Sequence, residues 1–94
     1  MTLKTKPYEF AQHVETEEDI REYLTAFLEE DGAQGFIDAL GHLAKKKGMT
    51  EIARNAGVSR QSLYRTLTAD GNPSFVTVNK VVKALGCELV IASP

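Results

Sequence analysis

The sequence predicts an all-α protein, a compact helical bundle that contains a helix-turn-helix and ends in a short β-strand. Three observations carry this expectation. Apolar residues recur at helical spacing from Ile20 to Leu85, and the breaks in that rhythm fall at Gly32, Gly48, Gly57 and the turn-rich Thr68–Ser74. Only residues 87–92, CELVIA, read as extended chain.

Taken in order, Thr16-Glu17-Glu18-Asp19 is a helix start. Thr16 caps, the acidic residues suit the positive end of the helix dipole, and Asp19 takes the reciprocal role more usual for Glu. The helix runs to about Glu30 with Ile20, Tyr23, Leu24, Phe27 and Leu28 on one apolar face, and Asp31-Gly32 ends it. A second stretch from about Ala33 to Lys47 turns Phe36, Ile37, Leu40, Leu43 and Ala44 inward and stops at Gly48 after three lysines. Met49–Ala56 forms a short helix with Ile52, Ala53 and Ala56 on its inner side. Gly57-Val58 turns the chain, and Ser59 caps the next helix. After the Thr68–Ser74 loop, Phe75, Val78, Val81, Val82 and Leu85 make the last helical stripe, ending at Gly86. The terminal strand needs a partner, and a second copy of itself or the segment around residues 3–6 is the nearest candidate.

With 94 residues the expected organisation is one domain: an acidic N-terminal extension and helix over 1–32, a core over 33–86 and the terminal strand over 87–92. A core this small gains from burying a further apolar patch, so a homodimer is expected. The composition, 43% hydrophobic and 26% charged without Trp, is that of an ordinary globular protein. No apolar run suits a signal peptide or a membrane span, so a cytoplasmic location with no membrane partner is expected. The lone Cys87 cannot form an internal disulfide and reads as a buried thiol. His13 and His42 lack metal-ligand spacing, and a surface pair with Asp38 is the expected state of His42. No paired-carboxylate setting, phosphate loop, metal cluster or nucleophile with a base is visible, so neither catalysis nor a cofactor or metal is expected.

The net charge of −2 hides a division. Residues 1–44 carry three Lys/Arg against ten Asp/Glu, whereas residues 45–94 carry eight against three. Local field, not total charge, decides whether a surface attracts phosphate. Within MTEIARNAGVSRQSLYRTL, residues 49–67, the small Ala53 lets two helices approach, Gly57 permits a left-handed turn, and Val58 and Leu63 fill the space between. This leaves Arg60, Gln61, Tyr64 and Arg65 on the outer side, where Arg can pair with guanine and Gln with adenine in a major groove.

The same stretch resembles the Xre/Cro family of helix-turn-helix repressors, over residues 49–86, and the resemblance implies a lambda-repressor-like fold. By matching positions it implies that Arg60, Gln61 and Arg65 read bases, with Thr50, Ser59 and Ser62 nearer the phosphates. Thr66 departs from the family's larger aliphatic residue, and Leu67 is expected to take over its packing. Lys45, Lys46 and Lys47 are candidate phosphate contacts, although a helix C-terminus accounts for them equally well.

Over nearly the full length, the acidic EEDI start, LTAFLEEDG, the turn region, GNPSFVTVNKVVKALG and the terminal strand are similar to addiction-module antidote proteins, a HigA-like branch of Xre regulators. That resemblance implies an antitoxin that represses its own operon through operator DNA and neutralises a RelE/HigB-type toxin. Glu17, Glu18, Asp19, Glu22, Glu29 and Glu30 are then candidate toxin contacts, since an acidic face steers a basic partner; solubility alone also explains them. The alternatives are a stand-alone prophage-type repressor and a module for protein contacts without DNA.

Overall fold

The computed structural model describes residues 14–68 and 73–93, and over these it is all-helical. Thr16 starts the first helix as its sequence demands. Its Oγ1 accepts the Asp19 N–H at 3.0 Å, and Asp19 Oδ2 accepts the backbone N–H groups of Thr16 and Glu15 at 3.2 and 3.1 Å. Helix α1 (Glu17–Lys47) follows. It is one helix only in name, because Gly32 at φ 67°, ψ −150° breaks it where the sequence places a stop. The two arms, residues 17–31 and 33–47, fold against each other so tightly that a Cβ on Gly35 would lie 2.5 Å from the Phe27 carbonyl oxygen. Only glycine tolerates both the Gly32 dihedrals and the Gly35 approach.

Helices α2 (Met49–Ala56), α3 (Arg60–Leu67) and α4 (Phe75–Ala84) complete the described elements. Ser74 caps α4 by accepting the Thr77 N–H at 3.1 Å. The small inner face of α2 (Ile52, Ala53, Ala56) lets it touch α1, α3 and α4, so it forms the hub of the packing. A continuous cluster of buried residues joins Ile20, Tyr23 and Leu24 of the first arm to Leu40, Leu43 and Ala44 of the second, to Ile52, to Leu63, and to Val78, Val81, Val82 and Leu85. At about 1.5–3 kcal/mol for each large aliphatic side chain removed from water, this cluster is the main stabilising term.

Several sequence expectations change. Phe75, expected on the inner stripe of α4, is exposed, because Val78, Val81 and Val82 already fill the inner face. Leu28 at the end of the first apolar face is exposed too. His42 makes no surface pair with Asp38. Its Nδ1 lies 3.0 Å from the Tyr23 hydroxyl across the two arms, and Asp38 instead accepts from Gln34 at 3.0 Å. Cys87 is half-buried rather than fully buried, with its Sγ 3.9 Å from the Glu17 carbonyl. Residues 87–92, expected as a strand, carry no regular element among the described residues. A strand exists only through a pairing partner; the segment around residues 3–6 lies outside the described residues, as do His13 and residues 69–72 of the Thr68–Ser74 loop.

Candidate nucleic-acid interface

The connection between α2 and α3 is three residues long and is built from local rules. Gly57 adopts the left-handed conformation at φ 72°, ψ 31°. From there its N–H donates to the Arg54 carbonyl at 3.2 Å and the Val58 N–H donates to the Ala53 carbonyl at 3.0 Å, closing the end of α2 as a Schellman turn. Val58 packs half-buried against the core. Ser59, extended at φ −73°, ψ 153°, accepts the Ser62 N–H at 3.0 Å and so opens α3. A Ser cap of this kind contributes about 1 kcal/mol to a helix that is too short to persist alone.

One residue fixes the rotation of α3 about its axis. Leu63 is its sole fully buried side chain, and Leu67 packs half-buried at the far end, against Gly41 of α1. Leu67 thus takes the packing role that the departure at Thr66 assigns to it, while Thr66 itself is half-buried. With Leu63 inward, Arg60, Gln61, Ser62, Tyr64 and Arg65 all lie exposed. Thr50 and Ser59 are exposed beside them.

These side chains form one surface. Arg60 Nη1 donates to Thr50 Oγ1 at 3.2 Å, tying the first turn of α3 to the first turn of α2. The Arg60 guanidinium also lies 5.9 Å from the centre of the Tyr64 ring, within cation–π range. Both contacts hold the guanidinium near the start of α3, where no acidic residue stands in the first turn. The surface is therefore basic, rich in donors and already ordered.

The structure divides the lysine cluster. Lys45 shares a hollow with Tyr64 and Thr68 at the side of α3, whereas Lys46 and Lys47 share a different one with Val14, Glu15 and Leu85 at the start of α1. It divides the acidic residues as well. Asp19 is engaged in the cap, and the two backbone N–H bonds, from Glu15 first and Thr16 second, hold its carboxyl below the usual 3.8. Glu18 pairs with Arg21 at 3.5 Å. The side chain of Glu17 lies along Gly86. Glu22, Glu29 and Glu30 together line a shallow hollow with Arg21 and Thr25 on the outer side of the first arm.

Two features escaped the sequence reading. Burial raises the Tyr23 phenol to about 12 and lowers the His42 imidazole, and the two share a hydrogen bond in a partly buried tie between the arms. The second is an apolar groove of about 460 Å³ bounded by Leu28, Phe36, Ile37, Phe75, Val78 and Leu89. The signal for it was present in Phe75-Val76, two large apolar residues at the start of a helix whose inner face was already filled. Among the described residues, no three His, Cys, Asp or Glu gather in a way that could hold a metal ion, and no helix is long and apolar enough to cross a membrane.

Over its described residues the molecule is thus a small all-helical protein with one basic, exposed eight-residue helix and an acidic first arm. Residues 4–93 match the family described as probable addiction module antidote protein, and the chain belongs to that family. An uncharacterized protein of Haemophilus influenzae is 43% identical over 91 residues, which cover 97% of this chain and 94% of that protein. No solved structure matches the chain significantly. Membership of an antidote family gives the protein an antitoxin role and a toxin partner of some kind.

Proposed function

We propose that α2, the Gly57–Ser59 turn and α3 form a DNA-binding helix-turn-helix, and that the protein is a HigA-like antitoxin of the Xre/Cro type acting as a dimeric autorepressor in the cytoplasm. One observation carries this reading: Leu63 and Ser59 together aim Arg60, Gln61 and Arg65 away from the core, on a helix without acidic residues in its first turn. In a major groove, Arg60 and Arg65 are suited to guanine edges and Gln61 to adenine. The Thr50, Ser59 and Ser62 hydroxyls, with the free N–H groups at the start of α3, suit phosphate oxygens. Lys45 is the lysine best placed to join them. The protein carries no reaction of its own in this account.

The toxin is a small basic ribonuclease of the RelE/HigB type, and its docking face is the acidic first arm. Glu22, Glu29 and Glu30 gather there, free of the capping and pairing that occupy Asp19 and Glu18. Opposite charge steers such an encounter and sets its rate. The two activities then use different residues, those on the outer side of the first arm and those on the exposed side of α3, so the account expects one antitoxin to hold toxin and operator together.

Expression of the natural operon with a tag on this chain tests both parts. The reading expects a small basic protein to copurify, and the complex to retard the operator fragment more than a scrambled duplex. Recovery of this chain alone would remove the toxin, and equal retardation of both duplexes would remove the operator.

A further inference from the structure

The candidate DNA surface holds one contact that its helices do not need. Arg60 Nη1 donates to Thr50 Oγ1 at 3.2 Å, from the first turn of α3 to the first turn of α2. Both side chains are exposed, and the two helices are already fixed by Ile52, Ala53 and Leu63 in the core and by the bonds of the Gly57 turn. Such a bond adds little to stability, because water offers either partner the same exchange. Its effect is on direction: it selects one among the many rotamers open to a long arginine.

The partner is a hydroxyl, although Glu51 stands next to Thr50 in sequence, and among the described residues no carboxylate pairs with Arg60. A carboxylate would grip the guanidinium harder, but it would also cancel the charge and compete with any acceptor brought to it. The Thr50 hydroxyl and the face of the Tyr64 ring, 5.9 Å from the guanidinium carbon, orient it and do neither. Because Thr50 engages Nη1, the edge formed by Nε and Nη2 has no partner in the described chain. That edge carries two parallel donors, the arrangement that pairs with O6 and N7 of guanine. Thr50 accepts through its oxygen and so keeps its own proton to donate, and a phosphate oxygen is the acceptor that a DNA strand supplies. A hydroxyl that donates to an anion is in turn a stronger acceptor for Arg60.

We infer that Thr50 is a positioning residue for base recognition: together with the Tyr64 ring it holds the Arg60 guanidinium ready for one guanine, and its hydroxyl links that reading to the docking of the neighbouring phosphate. Thr50 then contributes sequence preference through Arg60, beyond the backbone contact given to it above. The inference rests on the proposed reading of α3 as the helix that meets bases, and the two fail in different measurements.

Full-length wild-type chain and its Thr50→Val, Thr50→Ser, Tyr64→Leu and Arg60→Ala variants each select duplexes from a random-sequence DNA pool, and their affinities are then measured on the duplex that the wild type enriches and on its single-base variants. Thr50 is exposed and valine has its shape, so circular dichroism and the thermal midpoint should stay near wild type. The enriched duplex should contain a guanine whose identity Arg60→Ala no longer distinguishes. At that position Thr50→Val should lower the preference for guanine by about 3- to 10-fold, the worth of one hydrogen bond. Preferences at the other positions should remain, and so should the salt slope, since no cation is lost. Thr50→Ser, which keeps the hydroxyl, should restore most of the guanine preference, and Tyr64→Leu should lower it. In the absence of DNA, nitrogen-15 relaxation of the Arg60 Nε–H should show a more mobile side chain in Thr50→Val and in Tyr64→Leu than in wild type. An unchanged guanine preference in Thr50→Val, or equal weakening on every duplex, would overturn the inference and leave α3 as the reading helix. Tighter binding by Thr50→Val would overturn it too, because the Thr50 bond would then have to break on docking. A wild type that enriches no sequence would remove the base-reading helix itself, and this role of Thr50 with it.

Discussion

Replacing Leu63 by Ala should uncouple the candidate recognition helix from the rest of the protein. Leu63 is 0% exposed and is the sole fully buried residue of α3, an eight-residue helix far below the length that persists in water unaided. Deleting its three outer carbons removes transfer free energy and leaves a cavity between α2, α3 and α1. Leu→Ala at such a site costs about 2–5 kcal/mol, and at about 3 kcal/mol the unfolding equilibrium shifts by roughly 100-fold. A domain of this size has about 5–14 kcal/mol in total, so the variant folds. The loss is not evenly shared: α2 and α4 keep Ile52, Val81 and Val82, all essentially buried, whereas α3 keeps only half-buried Thr66 and Leu67. Urea denaturation should therefore report the global cost. Amide hydrogen exchange should show α3 opening first, with its amides accelerated by about the same factor and those of α2 by less. Operator affinity should fall further than global stability requires, because binding must then also order α3. A midpoint change equivalent to less than about 1 kcal/mol, or acceleration spread evenly over all helices, would refute the claim that Leu63 is the main anchor of this surface.

Three further outcomes are expected. Gly35→Ala should destabilise by about 2 kcal/mol or more, since its Cβ would meet the Phe27 carbonyl at 2.5 Å, whereas Gly41→Ala, whose nearest contact would be 3.4 Å, should be nearly neutral in thermal melts. Lys45→Ala should weaken binding on all duplexes alike and lower the salt slope by about one, while Lys46→Ala should leave the slope unchanged; the reverse order would exchange their positions relative to the phosphates. The Asp19 carboxyl titrates below its ordinary value of 3.8 in the folded chain, so its contribution to stability is fully present above that pH and is lost as pH falls through the lowered value. Asp19→Asn should accordingly flatten the acid limb of the stability profile below that pH and leave the neutral region level, which denaturation at a series of pH values would measure.

What was legible in the sequence was local. The Thr16–Asp19 capping box, the break at Gly32, the Gly57 turn and the Ser59 and Ser74 caps are all decided within a few residues, by hydrogen bonds or dihedrals that the residue types themselves dictate. The outward set on α3 was legible for the same reason, since one buried Leu63 at helical spacing fixes the direction of its neighbours. The tie between Tyr23 and His42 was not, because it depends on how the two arms fold back at Gly32, across 19 residues of sequence. Periodicity assigned Phe75 to the inner stripe because it cannot tell a core from a groove; both are apolar, and only the packing of α4 against α1 separates them. The division of the three lysines likewise needed coordinates. Adjacent residues on a helix point about 100° apart, and their surroundings decide which one faces α3.

The most direct test of the central claim is the affinity of the full chain, of Gln61→Ala and of Arg60→Ala for the operator and its single-base variants across a range of salt. The account expects affinity for the operator to fall steeply with salt. Each substitution should cost about 1–3 kcal/mol on the operator while erasing the preference at one base position. Uniform weakening on every duplex, or binding indifferent to salt, would contradict it.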